Sequence, residues 1–463
     1  METIVRCVSG ATLSKGRMKT PLLVFPLVLL LTACTTPPTG GPGATVSAGP
    51  EVAPPSSAPV ARPPEATTAM TLAMSDPGGS MPVDAEVRGA QQWVRRLPKS
   101  NDKLIELGRA WIVKARHAAD PGYYLNAKAC AELVLEREQD SWLGRELLAQ
   151  VLLNQHKFAD AKDMCEQVLA RDKEAFITLG VYSDTLLELG REDEAIKAAD
   201  RMVAFKPNGA SYVRVSFLHW LLGDLGAALN AAKLAIESSN DPGAPEPKAY
   251  ALVQAANFFW HKGDYEGAQA GYTKATSALT NYAPALLGLG RVALAQGNEK
   301  RAVELIELAN KESPTVEIAW RLGDARAAAG DTAGADEAYG WVVKRGRQSD
   351  PRTLAHFYAV KNRDIEEAVK LAEAEMRERP GVFTQNVYAW ALYRAGKLEQ
   401  AKTTIERATR LGTKEPELLY HLGAIKIATG DRTAGKMLVK EALALNPHFD
   451  PTAAPEANAL AGR

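Results

Sequence analysis

Four cysteines in 463 residues are too few to staple a disulfide framework. A surplus of either charge is also missing, since 55 basic side chains stand against 55 acidic ones. Holding nucleic acid by phosphate neutralisation needs a basic surplus, so that class of function is excluded. No apolar run reaches the ~20 residues that cross a bilayer core. There is no HExxH, CxxC, GxxxxGK[ST] or GxSxG, and the seven histidines are scattered. Chemistry needs a nucleophile with its base, or a metal set, at fixed geometry. With neither in the pattern, the chain reads as a non-enzyme with no cofactor and no metal, and His261 and His421 read as groove or surface residues. What is present is apolar material, 46% of the chain, which rules out global disorder. The length predicts about three globular units or one long array.

The N-terminus has the form of an export signal. Arg6, Lys15, Arg17 and Lys19 precede the apolar run PLLVFPLVLLL at 21–31, and small residues follow. Next comes Leu31-Thr32-Ala33-Cys34, which resembles a bacterial lipobox. The resemblance implies lipidation of Cys34, whose thiolate accepts a diacylglyceryl group. The plainer alternative is an ordinary secretory signal with a chance cysteine. Met18 opens a shorter signal and is a second candidate start. Two anchoring signals already give stable membrane attachment, and Thr35 at the place of a retention aspartate resembles an outer-membrane address. Removal of residues 1–33 leaves a net charge of −3. Residues 35–82 hold eleven prolines and no aromatic, and such a segment cannot offset its ordering entropy. It reads as a disordered leash, reaching ~150 Å if fully extended at ~3.1 Å per residue.

From residue 84 onward Ala, Leu, Glu, Lys and Arg recur at helical spacing. A tight-turn residue followed five later by a small one repeats at 122, 156, 190, 223, 263, 297, 330, 363, 396 and 430. Glycine occupies eight of these positions, with His156 and Arg363 the exceptions. The intervals are 33 or 34 residues apart from one of 40, where Pro242, Pro245 and Pro247 mark an enlarged joint. Glycine lets the first helix end in a left-handed conformation, and the small residue lets the second pack close. Pro207, Pro314, Pro380 and Pro447, each 17 after a turn, stop the second helix. Gly290, Gly323, Gly423 and Ala389, seven before, admit close crossing within a pair. Gly288-Leu-Gly290 looks like a dinucleotide fingerprint but falls within a helix, not between strand and helix. Cys130 and Cys165 read as buried free thiols, because packed helices sit ~8–10 Å apart and a bridge needs Cα atoms within ~7 Å.

This pattern resembles the tetratricopeptide-repeat (TPR) family over roughly residues 105–447. The family's large residue near the start of the first helix is kept at Trp111, Leu179, Leu252, Leu286 and Leu419, but is Arg145, Ala319 and Gln385 elsewhere. The resemblance implies an all-α solenoid of ten helix–turn–helix repeats. The chain then divides into a signal (1–33), a lipidated cysteine with a disordered linker (34–83), a capping helix with repeats one to four (84–240), repeats five to ten (241–447) and a disordered tail (448–463).

In that family the first helices line a concave wall. Counting from the turns places Phe217, Trp220, Tyr250, Asn257, Trp260, Trp320, Asp324, Phe357, Phe383, Asn386, Trp390, Tyr393 and Tyr420 there. Large aromatics suit partner anchoring, or they pack between neighbouring helices and stiffen the superhelix. The lysine–asparagine pair of the family's carboxylate clamp is absent, since repeat five has Val253 and Asn257 at its two positions and repeat nine has Asn386 and Trp390. The sequence therefore predicts a lipid-anchored outer-membrane scaffold facing the periplasm, capturing envelope proteins or peptides for a pilus, secretion, motility or outer-membrane assembly machine. The alternative is a regulator of a cell-wall enzyme that works through the reach of its leash.

Overall fold

The computed structural model describes residues 68–118 and 120–462, so Cys34, the export signal and most of the proline-rich stretch lie outside the described residues. A short helix α1 (Ala69–Ala73) and a capping helix α2 (Pro82–Arg96) come first. Repeat one pairs α3 (Asn101–His117) with α4 (Tyr123–Arg137), repeat two α5 (Trp142–Asn154) with α6 (Phe158–Arg171), and repeat three α7 (Phe176–Glu188) with α8 (Glu192–Phe205). Repeats four and five are α9 (Gly209–Leu221) with α10 (Leu225–Ser238) and α11 (Glu246–His261) with α12 (Tyr265–Ala278). Repeats six and seven are α13 (Ala283–Ala295) with α14 (Glu299–Glu312) and α15 (Val316–Ala328) with α16 (Thr332–Ser349). Repeats eight to ten pair α17 (Pro351–Val360) with α18 (Ile365–Glu378), α19 (Val382–Arg394) with α20 (Leu398–Ala408), and α21 (Pro416–Ala428) with α22 (Arg432–Leu445). A last helix, α23 (Ala453–Ala461), closes the chain. There is no strand among the described residues.

Local chemistry makes each hairpin. Gly223, Gly263, Gly297, Gly330 and Gly430 all have left-handed φ. Each is followed by an aspartate or asparagine whose side chain accepts a backbone N–H three residues on and so starts the second helix. Pro207, Pro314, Pro380 and Pro447 stand two residues past the ends of α8, α14, α18 and α22. A Cβ on Gly290, Gly323 or Gly423 would come within 2.7 Å of the partner helix, so the pairs cross as closely as the spacing predicted. Gly288 lies inside α13 against the Tyr272 ring, which is its use. Two turns differ from expectation. Gly122 has φ −55° and caps α4 instead of turning left-handed. In repeat eight the left-handed residues are Asn362 and Asp364, not Arg363. The enlarged joint does not interrupt packing, because one set of buried residues runs from Ala199 to Phe258 across it.

The superhelix winds so tightly that it touches itself. The turns of repeats three, four and five meet the chain between five and six repeats further along. An added Cβ on Gly190 would sit 2.7 Å from the Pro380 carbonyl oxygen, on Gly223 2.5 Å from that of Gly412, and on Gly263 2.4 Å from that of Leu445. Hydrogen bonds lace the same seam. Thr413 Oγ1 donates to the Leu221 carbonyl at 2.5 Å, and Asn446 Nδ2 donates to that of Trp260 at 2.9 Å. Tyr265 Oη donates to Asn446 Oδ1 at 2.7 Å. Thr413 and Asn446 are both buried, so these bonds form away from competing water.

Both expected disordered ends require correction where the structure reaches them. Residues 69–81 are not leash: Trp111 Nε1 donates to the Ala73 carbonyl at 2.9 Å, and Asn126 Nδ2 to that of Leu72 at 2.7 Å. The short apolar run AMTLAM gains enough burial against α3 and α4 to order. The tail is not disordered either. Asp450 accepts the backbone N–H groups of Thr452 and Ala453 at 2.8 Å and the Arg321 guanidinium at 2.7 Å. Arg394 holds Glu456 by two bonds of 2.9 and 2.6 Å. Small alanines give α23 little amphipathic signal but let it seat closely on the helices of repeat ten. Burial alone would raise the Asp450 carboxyl; Arg321 and the two N–H groups hold it below its ordinary value.

The seam yields a test. Gly223→Ala and Gly297→Ala pay the same left-handed penalty of about 1 kcal/mol, but Gly297 has nothing within 4 Å whereas Gly223 faces a carbonyl oxygen. Urea unfolding of Gly223→Ala is expected to cost about 1–3 kcal/mol more than Gly297→Ala, with small-angle scattering showing a more open particle. Equal costs would mean the seam does not form.

Candidate functional site in the superhelix interior

Winding this tight leaves an axial cavity in place of an open groove. One chamber of about 260 Å³ is walled by α9, α11, α13, α15, α17, α19 and α21, all first helices. A second, of about 360 Å³, lies between α13 to α15 and the segment from Pro447 to Asn458, and shares Arg291 and Arg321 with the first.

The thirteen inner-wall candidates divide three ways. Phe217, Trp220, Asn257, Trp320, Phe383 and Asn386 come together at the first chamber. Trp260 and Asp324 line the second. Tyr250, Phe357, Trp390, Tyr393 and Tyr420 line neither. The open-groove expectation needs correction for most of them. Trp320, Phe357, Trp390 and Tyr420 are at most 1% exposed, so no partner reaches them in this state. Their work is to join repeats. Phe217 and Trp220 of repeat four each approach Phe383 of repeat nine at 6.4 Å between ring centroids. Trp390 stacks on His421 at 3.9 Å and on Tyr393 at 4.7 Å, and Tyr420 meets Phe449 at 5.7 Å. Phe357 packs edge-on to Trp320 at 5.6 Å. Position counting gives the direction of a side chain towards the axis, but not the radius at which the wall stands from its opposite side.

Polar groups line the remaining space. Tyr272 Oη donates to Asn257 Oδ1 at 2.6 Å. Asp324 accepts from Tyr339 Oη at 2.8 Å and pairs with Lys361 Nζ at 2.6 Å and Arg321 at 3.2 Å. Arg291 lies 4.5 Å over the Trp260 ring and Arg321 4.1 Å over Trp320. Two carboxylate–imidazole pairs face the chamber: Glu415 with His261 at 3.5 Å and Glu417 with His356 at 3.2 Å. Burial alone would raise both carboxyls; their histidines hold them below the ordinary carboxylate value. Burial pushes the His421 imidazole down to about 3, so it is neutral at physiological pH.

One grouping went unread in the sequence. His356, Glu417 and His421 each bring a ligating atom to within 4.8 Å of the others. Glu417 and His421, four apart, share one face of α21, and that spacing was visible. His356 sits two repeats earlier, and only the packing of α17 beside α19 and α21 supplies it. Elsewhere, Cys130 and Cys165 are buried free thiols, and burial pushes both upward from the ordinary thiol value.

Comparison with known proteins returns repeat models, one curated relative and several solved structures. Models of the tetratricopeptide repeat match residues 146–210 and 259–323. The chain is similar to TPR repeat-containing protein YpiA of Bacillus subtilis (strain 168), at 26% identity over 270 residues, 57% of this chain and 62% of that protein, so it spans less than two thirds of that relative. Among solved structures it is similar to a human IFIT1 dimer with m7Gppp-AAAA, at 16% identity and a TM-score of 0.45, over 70% of this chain and 76% of that one. It is also similar to PilW, a widely conserved type IV pilus biogenesis factor, at 17% identity and a TM-score of 0.38, over 44% of this chain and 94% of that one.

The burial of the inner wall predicts how its residues respond to truncation. Trp390→Ala is expected to destabilise the array by about 3–5 kcal/mol, as removal of a buried indole does, with loss of helical circular dichroism at lower temperature. A variant of unchanged stability would show that the wall is open to solvent after all.

Proposed function

We propose that this chain, a member of the tetratricopeptide-repeat family, is a membrane-tethered scaffold that holds envelope proteins on the outside of a closed superhelix. Proteins of this repeat fold bind partner proteins or peptides and are typically non-catalytic. The observation that carries the reading is the seam between repeats three to five and eight to ten. It fills the inner wall with the chain's own side chains and leaves the outer faces for recognition. Large apolar side chains exposed on those faces are few. Trp93 and Leu97, each 47% exposed, lie four apart at the end of α2, with Arg96 and Lys103 over the indole ring at 5.3 and 5.5 Å. An aromatic flanked by cations is a suitable anchor for a partner with an acidic rim.

Attachment in this reading goes through Cys34 in Leu31-Thr32-Ala33-Cys34, and Thr35 favours the outer membrane with the body in the periplasm. No helix among the described residues is long and apolar enough to cross a membrane. Assembly of a pilus, secretion, motility or outer-membrane machine is the setting in which such a tethered holder works. Regulation of a cell-wall enzyme through long reach is the weaker reading, because α1 and its flanks pack on repeat one and shorten the leash.

Two experiments test the two halves. Cys34→Ala is expected to move the protein from the pelleted membrane fraction to the soluble periplasm; a variant that still pellets removes the anchor. Trp93→Ala combined with Leu97→Ala is expected to lower in-cell crosslinking to envelope proteins several-fold while changing stability by no more than about 0.5 kcal/mol, as exposed sites do. Undiminished crosslinking would place recognition on another face.

A further inference from the structure

We infer that His356, Glu417 and His421 form a binding site for a divalent transition-metal ion, zinc by the nature of its ligands, which joins repeat eight to repeat ten across repeat nine. The three residues bring ligating atoms to within 4.8 Å of one another at the wall of the first chamber. Two imidazoles and one carboxylate form a donor set that suits zinc and its neighbours in the first transition row, with a fourth position left for water.

The hydrogen bonding singles out the lone pairs. His421 is fully buried, and its Nδ1 lies 2.9 Å from Asn386 Oδ1. An amide oxygen only accepts, so Nδ1 carries the proton and Nε2 carries the lone pair. That Nε2 is buried without a hydrogen-bond partner. His356 Nε2 and Glu417 Oε1 stand 3.2 Å apart as a buried pair, and neither atom has a partner beyond the other. A buried Nε2 lone pair with no partner costs about 1–3 kcal/mol, and a cation satisfies it while also accepting the lone pairs of the adjoining His356–Glu417 pair.

The surroundings hold the ligands in place. Trp390 stacks on His421 with planes 14° apart, and Trp320 meets His356 edge-on at 5.2 Å. Asn386, on the helix between the two ligand helices, is the positioning residue that fixes the His421 tautomer. A hydrogen bond to the non-ligating imidazole nitrogen is the usual outer support of a metal-bound histidine. His356 and Glu417 border the chamber, so the fourth position opens onto it.

The test uses the untagged full chain, treated with chelator and then titrated calorimetrically with Zn²⁺. One equivalent is expected to bind, with a rise in melting temperature, and Co²⁺ in its place is expected to give ligand-field absorption in the visible. His356→Gln and Glu417→Gln preserve volume and are expected to abolish this binding, with circular dichroism verifying that each stays folded. Asn386→Ala is expected to weaken it about 10–100-fold. Absence of saturable binding by the native chain, or equal binding by the folded His356→Gln and Glu417→Gln variants, would overturn the site.

Discussion

The structure depends on a contact between two stretches of backbone. Where repeats three, four and five reverse direction, the chain lies so close to the carbonyl groups after repeats eight, nine and ten that no side chain fits between them. Left-handed glycine meets the geometry of the helix hairpin and the clearance of the seam with the same missing atom. The aromatic interlock of Phe217, Trp220 and Phe383 and the buried bonds of Thr413 and Asn446 all require that approach first. So do the chambers, which exist because opposite walls of one superhelical turn face each other at side-chain distance.

Much of the hairpin architecture was legible because it is written locally. A turn glycine, a small residue five on and a proline seventeen on lie within one repeat, and each has its own physical reason. The misreadings also follow from physics. Asn362 and Asp364, not Arg363, take left-handed φ without being glycine, which the residue pattern alone disguises. The segments at 69–81 and 450–461 carry too few apolar residues to announce themselves, and they order because distant residues such as Trp111, Arg321 and Arg394 reach them. The radius of the superhelix is set by contacts across five or six repeats, which no single repeat records. That is why Trp320, Phe357, Trp390 and Tyr420 could be assigned to the inner wall while the choice between partner anchoring and packing between helices stayed open.

The interior is also unusually polar for a region built from aromatic residues. Arg291 and Arg321 lie over indoles, Asp324 and Asp450 share Arg321, and two glutamates meet histidines. Purely apolar packing would fill the axis more simply. Charged groups at that depth fix which helix faces which, since a wrong register strands a charge without its partner. In a chain whose repeats resemble one another, such pairs give particular repeats distinct identities.

A solenoid with free ends is a spring: each unit touches its neighbours, and extension or fraying at one end is felt locally. Joining the third, fourth and fifth coils to the eighth, ninth and tenth short-circuits that arrangement. Tension applied to either end is shared through the seam before any hairpin separates, and partial melting of a middle unit breaks contacts on both sides of the axis. The molecule thereby exchanges elasticity for rigidity and presents its outer surface as a fixed shape instead of an adjustable cradle.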